Sequence, residues 1–135
     1  MSQENVDLVH QAIDAFNRQD LAALADFCAD DFEFVSILSA VDAGGSTYRG
    51  PHSWSGYFAR MRDTWAEWWV DDFQVFDGGS GRLAAVVQVA GRGQHSGVAV
   101  ARTIGMTYLV RGGTLMRMRA YLEPREALEA VGLPE

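Results

Sequence analysis

The sequence has no lysine, only one cysteine, and no apolar run near the roughly 18 residues that cross a bilayer. A lone Cys28 excludes an intrachain disulfide. No HExxH, CxxC or HxxxH spacing is present, so nothing in the sequence supports a metal site, and none is expected. No glycine-rich phosphate loop opens a helix: the glycines at 91, 93 and 97 fall between strands, and no cofactor is expected. Positive charge is scarce. Eleven arginines stand against 18 acids, for a net charge of −7. A protein that releases counterions from phosphate needs a basic face, so nucleic acid is excluded as a partner, and an anionic membrane surface is disfavoured for the same reason. No basic segment followed by an apolar one opens the chain, so a cytoplasmic location is expected.

What is present is a chain for one globular domain, 1–135, with 48% hydrophobic residues. Ser2 is placed to cap a first helix. Val6, Val9, Ile13 and Phe16 recur at spacings of three and four along it, with Asp7, Gln11, Asp14 and Arg18 opposite. Asp20 can cap a shorter helix that turns Leu21, Leu24 and Phe27 inward and carries Cys28 on its apolar stripe, with Asp30-Asp31 breaking it. Cys28 reads as a small buried hydrophobe rather than a nucleophile. Residues 32–38 read as a strand, and 39–46 as a small-residue loop of the kind that borders sites. Gly50-Pro51 is expected to open a third helix with proline at its first position, along which Trp54, Phe58, Met61 and Trp65 form a stripe.

The remainder reads as sheet. Strands are expected over 70–76 and 83–90, joined by the hairpin signal Asp77-Gly78-Gly79-Ser80-Gly81. Another runs over 98–110, where Gly105 suggests a bulge or bend. In the last strand, 114–122, Met116, Met118, Ala120 and Leu122 alternate with Arg117, Arg119 and Tyr121, which predicts one interior face and one outer face. Pro124 then starts a short C-terminal helix closed by Gly132. Helices followed by strands argue an α+β fold: a curved, cone-shaped, mainly antiparallel sheet, with three N-terminal helices on its concave face and a pocket between the layers.

Three stretches carry a family resemblance: AIDAFNRQDLAALADFCADDFEF, YRGPHSWSGYF and GGTLMRMRAYLEPREALEAVGL. In these the chain resembles the SnoaL-like and ketosteroid-isomerase-like families of the nuclear-transport-factor-2-like superfamily, over nearly its whole length. The resemblance implies an apolar pocket. It also places this chain's own residues at the positions where those families keep their acid/base groups. A tyrosine oxyanion donor would fall on Ala12, a carboxylate base near Ser36, a protonated carboxyl at Met106, and a cyclase aspartate at Ala120. Alanine, serine and methionine supply no base and at most one weak donor. The resemblance thus implies a cavity kept without the usual chemistry, and dimerisation through the sheet, where Arg117, Arg119 and Tyr121 supply residue types enriched at interfaces.

Three readings remain open from the sequence. The first is a binding protein for a small apolar or aromatic molecule, held among Phe16, Ser36, Trp54, Phe58, Met61, Met106, Tyr108, Met118, Ala120 and Leu122. The second is an enzyme of cyclase, isomerase or dehydratase type with relocated groups. In it Arg102, on an otherwise apolar strand face, would stabilise an oxyanion, and His52 or Tyr57 would move a proton. The third is an interaction domain with a filled pocket and a homodimer contact on the outer sheet face.

Overall fold

The computed structural model describes residues 2–37 and 47–134. The expected loop at 39–46 lies outside them, as does the side chain of the expected cap Ser2. Helix α1 spans Ser2–Arg18 and α2 spans Leu21–Phe27. Strand β1 is Cys28–Val35, β2 is Thr47–Arg49, and helix α3 is Trp54–Thr64. Four longer elements follow: β3 (Trp65–Asp77), β4 (Arg82–Gly93), β5 (Ala99–Arg111) and β6 (Thr114–Tyr121), before α4 (Pro124–Ala130). The six strands form one sheet in the order β2-β1-β6-β5-β4-β3. The β1–β6 pair is parallel and the others antiparallel, the mixed α+β arrangement the sequence implied.

Side chains of successive residues leave a strand on opposite faces, and β4 shows what each face meets. Leu83, Ala85 and Val87 join the main core with Val9, Ile13, Leu24 and Phe58 from α1, α2 and α3. Ala84 joins a small second core with Ala127 and Val131 at the C-terminal helix. The sheet is thus covered by three helices on one face and by α4 on the other. Asp20 caps α2 by accepting from the Ala23 N–H at 3.1 Å. Glu123 and Glu126 form a reciprocal capping box on α4, which stops the chain end from fraying off the sheet.

Five local expectations are corrected. Cys28 and Asp30-Asp31 belong to β1, not α2: the helix ends at Phe27, Cys28 already pairs with Leu115 of β6, and the two aspartates fall where that pairing shifts register before Glu33. Cys28 is nonetheless buried, and that burial pushes its thiol pKa up. The third helix begins at Trp54; Gly50-Pro51-His52 is a turn, held by the Ser53 hydroxyl donating to the Gly50 carbonyl at 2.7 Å. Trp65 leaves the helical stripe and starts β3. Gly105 marks no bulge, since β4 and β5 pair without a shift from Arg82↔Leu109 to Arg92↔Ala99. It is instead where α4 lies against the sheet. A Cβ there would stand 2.7 Å from Ala127 Cβ and 3.0 Å from Pro124 Cα. Met116 is the residue that bulges: Leu109 pairs with Arg117 but Val110 with Leu115, so fully buried Leu115 takes the inner position expected for Met116.

β3 is an edge strand, and α1 closes part of that edge. The Asn17 amide donates to the Val70 carbonyl at 2.9 Å and accepts the Val70 N–H at 2.8 Å.

Candidate functional site

Between the three N-terminal helices and the sheet lies a cavity of about 450 Å³, within the size range of ligand pockets. Its wall is built in rungs across the sheet. Phe34 of β1 pairs with Met118 of β6, and Met118 with Tyr108 of β5. One rung along, Ala120 pairs with Met106, and Met106 with Ala85; further on Ile104 pairs with Val87. The helical side is made by Ala12, Ile13 and Phe16 of α1, Leu24 of α2, and Trp54, Tyr57 and Met61 of α3. At the open end stand Trp65 and Trp69 of β3, Gly91 of β4, and Val100 and Arg102 of β5.

Aromatic rings set the helical side against β1. The Trp54 indole stacks on Phe34 at 5.3 Å and on Phe32 at 5.7 Å, and meets the Tyr57 ring edge-on at 5.8 Å. Such pairs contribute roughly 0.5–1.5 kcal/mol each beyond their area burial, which holds α3 in one orientation over the strand. All four tryptophans of the chain, Trp54, Trp65, Trp68 and Trp69, border the cavity.

The structure brings Phe16, Trp54, Met61, Met106, Tyr108, Met118 and Ala120 to this wall, together with Tyr57 and Arg102. Others among the expected residues lie elsewhere. Phe58 is buried behind the wall, against Phe16 and Trp68. Ser36 is buried just past the end of β1, and Leu122 is half-buried beyond the end of β6; neither borders the cavity. His52 is exposed in the turn before α3, its carbonyl accepting from the Ser55 hydroxyl at 3.2 Å, and is not on the wall. Arg117 and Arg119 are exposed on the opposite face, where the Arg119 guanidinium lies 5.2 Å from the Tyr121 ring centre. Sequence reasoning missed Trp68, Trp69, Val70, Val87, Val89 and Ile104, all of them wall residues. The signal for the first two was the run of aromatics just after the helical stripe.

Ionisable groups on the described wall are few: Arg102, Tyr57 and Tyr108, with no carboxylate or imidazole. Arg102 is half exposed; its Nη2 donates to the Leu122 carbonyl at 3.3 Å and lies 3.7 Å from Glu123 Oε1. Among the described residues no group of three or more His, Cys, Asp or Glu side chains could hold a metal. None of the described helices is long and apolar enough to cross a membrane.

Burial pushes the Tyr57 phenol well above the ordinary tyrosine range, with a smaller contribution from Tyr48; burial alone does the same to Tyr108. A folded-state value raised above the unfolded one means the stabilising neutral form is fully present below the unfolded value and is lost as pH rises through the folded one. In an ultraviolet pH titration, Tyr57 and Tyr108 should therefore ionise only with loss of the fold, at a pH above the usual tyrosine midpoint. Either of the two ionising at the usual tyrosine midpoint in folded protein would contradict the burial of this pair.

A family model described as the SnoaL-like domain matches residues 9–120. No curated protein matches the chain. Among solved structures, a putative polyketide cyclase from Xanthomonas campestris pv. campestris is 23% identical, with a TM-score of 0.74 over 97% of this chain and 98% of that one. An NTF2-like protein of unknown function from Burkholderia pseudomallei K96243 is 14% identical, with a TM-score of 0.77 over 96% and 98%. A protein with a ketosteroid isomerase-like fold from Catenulispora acidiphila, in complex with trimethylamine, is 20% identical, with a TM-score of 0.73 over 94% and 93%. At these identities the likeness is one of fold.

Proposed function

Because the chain belongs to the SnoaL-like domain family, we propose that it binds a small apolar or aromatic molecule in the cavity between its helices and its sheet. The observation that carries this reading is a void of about 450 Å³ whose described wall is aliphatic and aromatic, with no carboxylate or imidazole. Of the four acid/base positions implied by resemblance, Ala12, Met106 and Ala120 are on the wall and cannot take or give a proton, whereas Ser36 does not border it. Ring burial against such a wall contributes roughly 25 cal/mol per Å² of apolar area, less the cost of the ligand's lost freedom.

The four bordering tryptophans supply the test. Titration with a panel of non-fluorescent aromatic ligands is expected to quench or shift tryptophan emission and to raise Tm together. A ligand at a hundredfold its Kd stabilises by about 2.7 kcal/mol. If no member of the panel moves either signal, the reading is wrong.

A catalytic reading draws on the solved structures named as putative polyketide cyclases. Here it would fall on Tyr57, Tyr108 and Arg102, the ionisable groups of the described wall. Buried protonated phenols can donate to a developing oxyanion but supply no base. Arg102 stands six strand residues from Tyr108, about 20 Å along an extended chain. That is too far for the two to serve one reacting atom, so binding is the better-supported function.

A further inference from the structure

The cavity differs in polarity from one end to the other. Arg102, Ile104, Met106 and Tyr108 alternate along β5 and all reach the wall. At the Arg102 end the wall is open to solvent: Val100 is 46% exposed and the Arg102 side chain 55%. A guanidinium carries five N–H donors in a planar fork, and the contacts to Leu122 and Glu123 use Nη2 alone. The Glu123 carboxylate is already engaged, because it accepts the Glu126 N–H in the capping box. Nε and Nη1 are thus left for an acceptor at the cavity's open end.

At the other end Tyr108, Met118 and Phe34 form one rung, and the Phe34 ring lies 5.3 Å from that of Tyr57. Both tyrosines are buried, 7% and 3% exposed, and both border the void. Neither hydroxyl makes a hydrogen bond to another described residue, and on the same wall the buried Trp54 and Trp68 indole N–H groups also lack a partner. Buried polar groups are satisfied as a rule, by protein, water or ligand. Two phenols at one end of an apolar void are therefore placed to receive a neutral oxygen. Between the ends the wall is Ile104, Met106, Val87 and Ala120, which offers a ring system only dispersion and desolvation.

We infer that the cavity takes an elongated aromatic acid: two or three linked or fused rings, with a carboxylate or enolate at Arg102 and a hydroxyl or carbonyl oxygen at Tyr57 and Tyr108. This rests on the binding reading above and adds to it a charge, an orientation and a ligand class. An ammonium ligand would find no countercharge on the described wall. The net charge of −7 repels an anion at a distance. Salt screens that repulsion beyond about 8 Å, whereas a forked guanidinium contact acts at hydrogen-bond range.

The test is isothermal titration calorimetry with four para-substituted biphenyls: the carboxylate, the hydroxy-carboxylate, the neutral methyl ketone and the trimethylammonium salt. The wild-type protein should bind the hydroxy-carboxylate most tightly and the trimethylammonium salt most weakly. Arg102→Gln should lower the carboxylate-to-ketone affinity ratio about tenfold, and Arg102→Lys should restore part of it. Tyr108→Phe should remove the advantage of the hydroxyl while leaving the charge preference. Equal affinity for anion, ketone and cation, or a ratio unmoved by Arg102→Gln, overturns the inference. Failure of every probe to bind, the ketone included, overturns the binding reading itself.

Discussion

A protein with phenylalanine in place of Ala120 is expected to bind aromatic ligands at least a hundredfold more weakly while melting no lower than the parent. Ala120 lies in the middle of the wall, paired with Met106 and one rung from Met118 and Tyr108. Its methyl group is the smallest side chain β6 turns toward the void. In a close-packed interior a gain of this size would force strain of about 1–3 kcal/mol. Beside a cavity the sign changes, because empty space itself costs about 24 cal/mol per Å³. Filling about 100 Å³ would then offset roughly 2 kcal/mol of strain. Tryptophan-emission titration and a thermal melt on the same sample read both effects. Undiminished binding would place the ligand elsewhere, and an unfolded variant would mean the wall around Ala120 has no room to spare.

The second large effect concerns Gly105. Gly105→Ala is expected to destabilise the fold by about 2–3 kcal/mol in urea denaturation, by the overpacking mechanism. The new methyl would be driven against Ala127 and Pro124, and would also stand 3.2 Å from the Glu123 carbonyl oxygen. Neither neighbour has a flexible tip that could swing away, so α4 as a whole must lift. The matched control is Gly56→Ala. Gly56 lies exposed within α3, and a Cβ there meets nothing within 4 Å. This variant should be more stable than the parent by about 0.5–1 kcal/mol, since alanine costs less entropy in a helix. If the two alanines act alike, close approach of α4 to the sheet is not why position 105 is a glycine.

Legibility from sequence follows how local the determinant is. The α1 stripe and the β6 alternation write their own period, so Phe16, Met118 and Ala120 could be placed on an interior face from the sequence alone. Strand β2 could not. Thr47, Tyr48 and Arg49 are extended because β1 lies alongside them, with Glu33 and Arg49 joined at 2.9 Å, and three residues carry no period of their own. The first half of β3 was hidden for another reason. Its register shifts twice, between Trp65 and Glu67 and again between Val70 and Asp72. Between the two shifts Trp68, Trp69 and Val70 all border the cavity, so this stretch shows none of the alternation by which a strand is recognised. Trp65 continues the helical spacing of Met61, which predicts a place on α3 that the start of β3 overrides. Position 105 misled in a similar way. A glycine in a strand signals either a bulge or a close neighbour, and the sequence does not say which.

The contact between Asn17 and Val70 has a consequence for the molecule in solution. A strand with one unpaired side is a template for recruiting another chain. At Val70 that side is already taken, N–H and carbonyl both, by a primary amide whose donor and acceptor imitate a peptide group. A seventh strand could not run past this point without first evicting the side chain. The same residue that pins the first helix to the tryptophan-bearing wall thereby obstructs lateral growth of the sheet at its β3 edge, and with it the filament-like association that an open β edge invites.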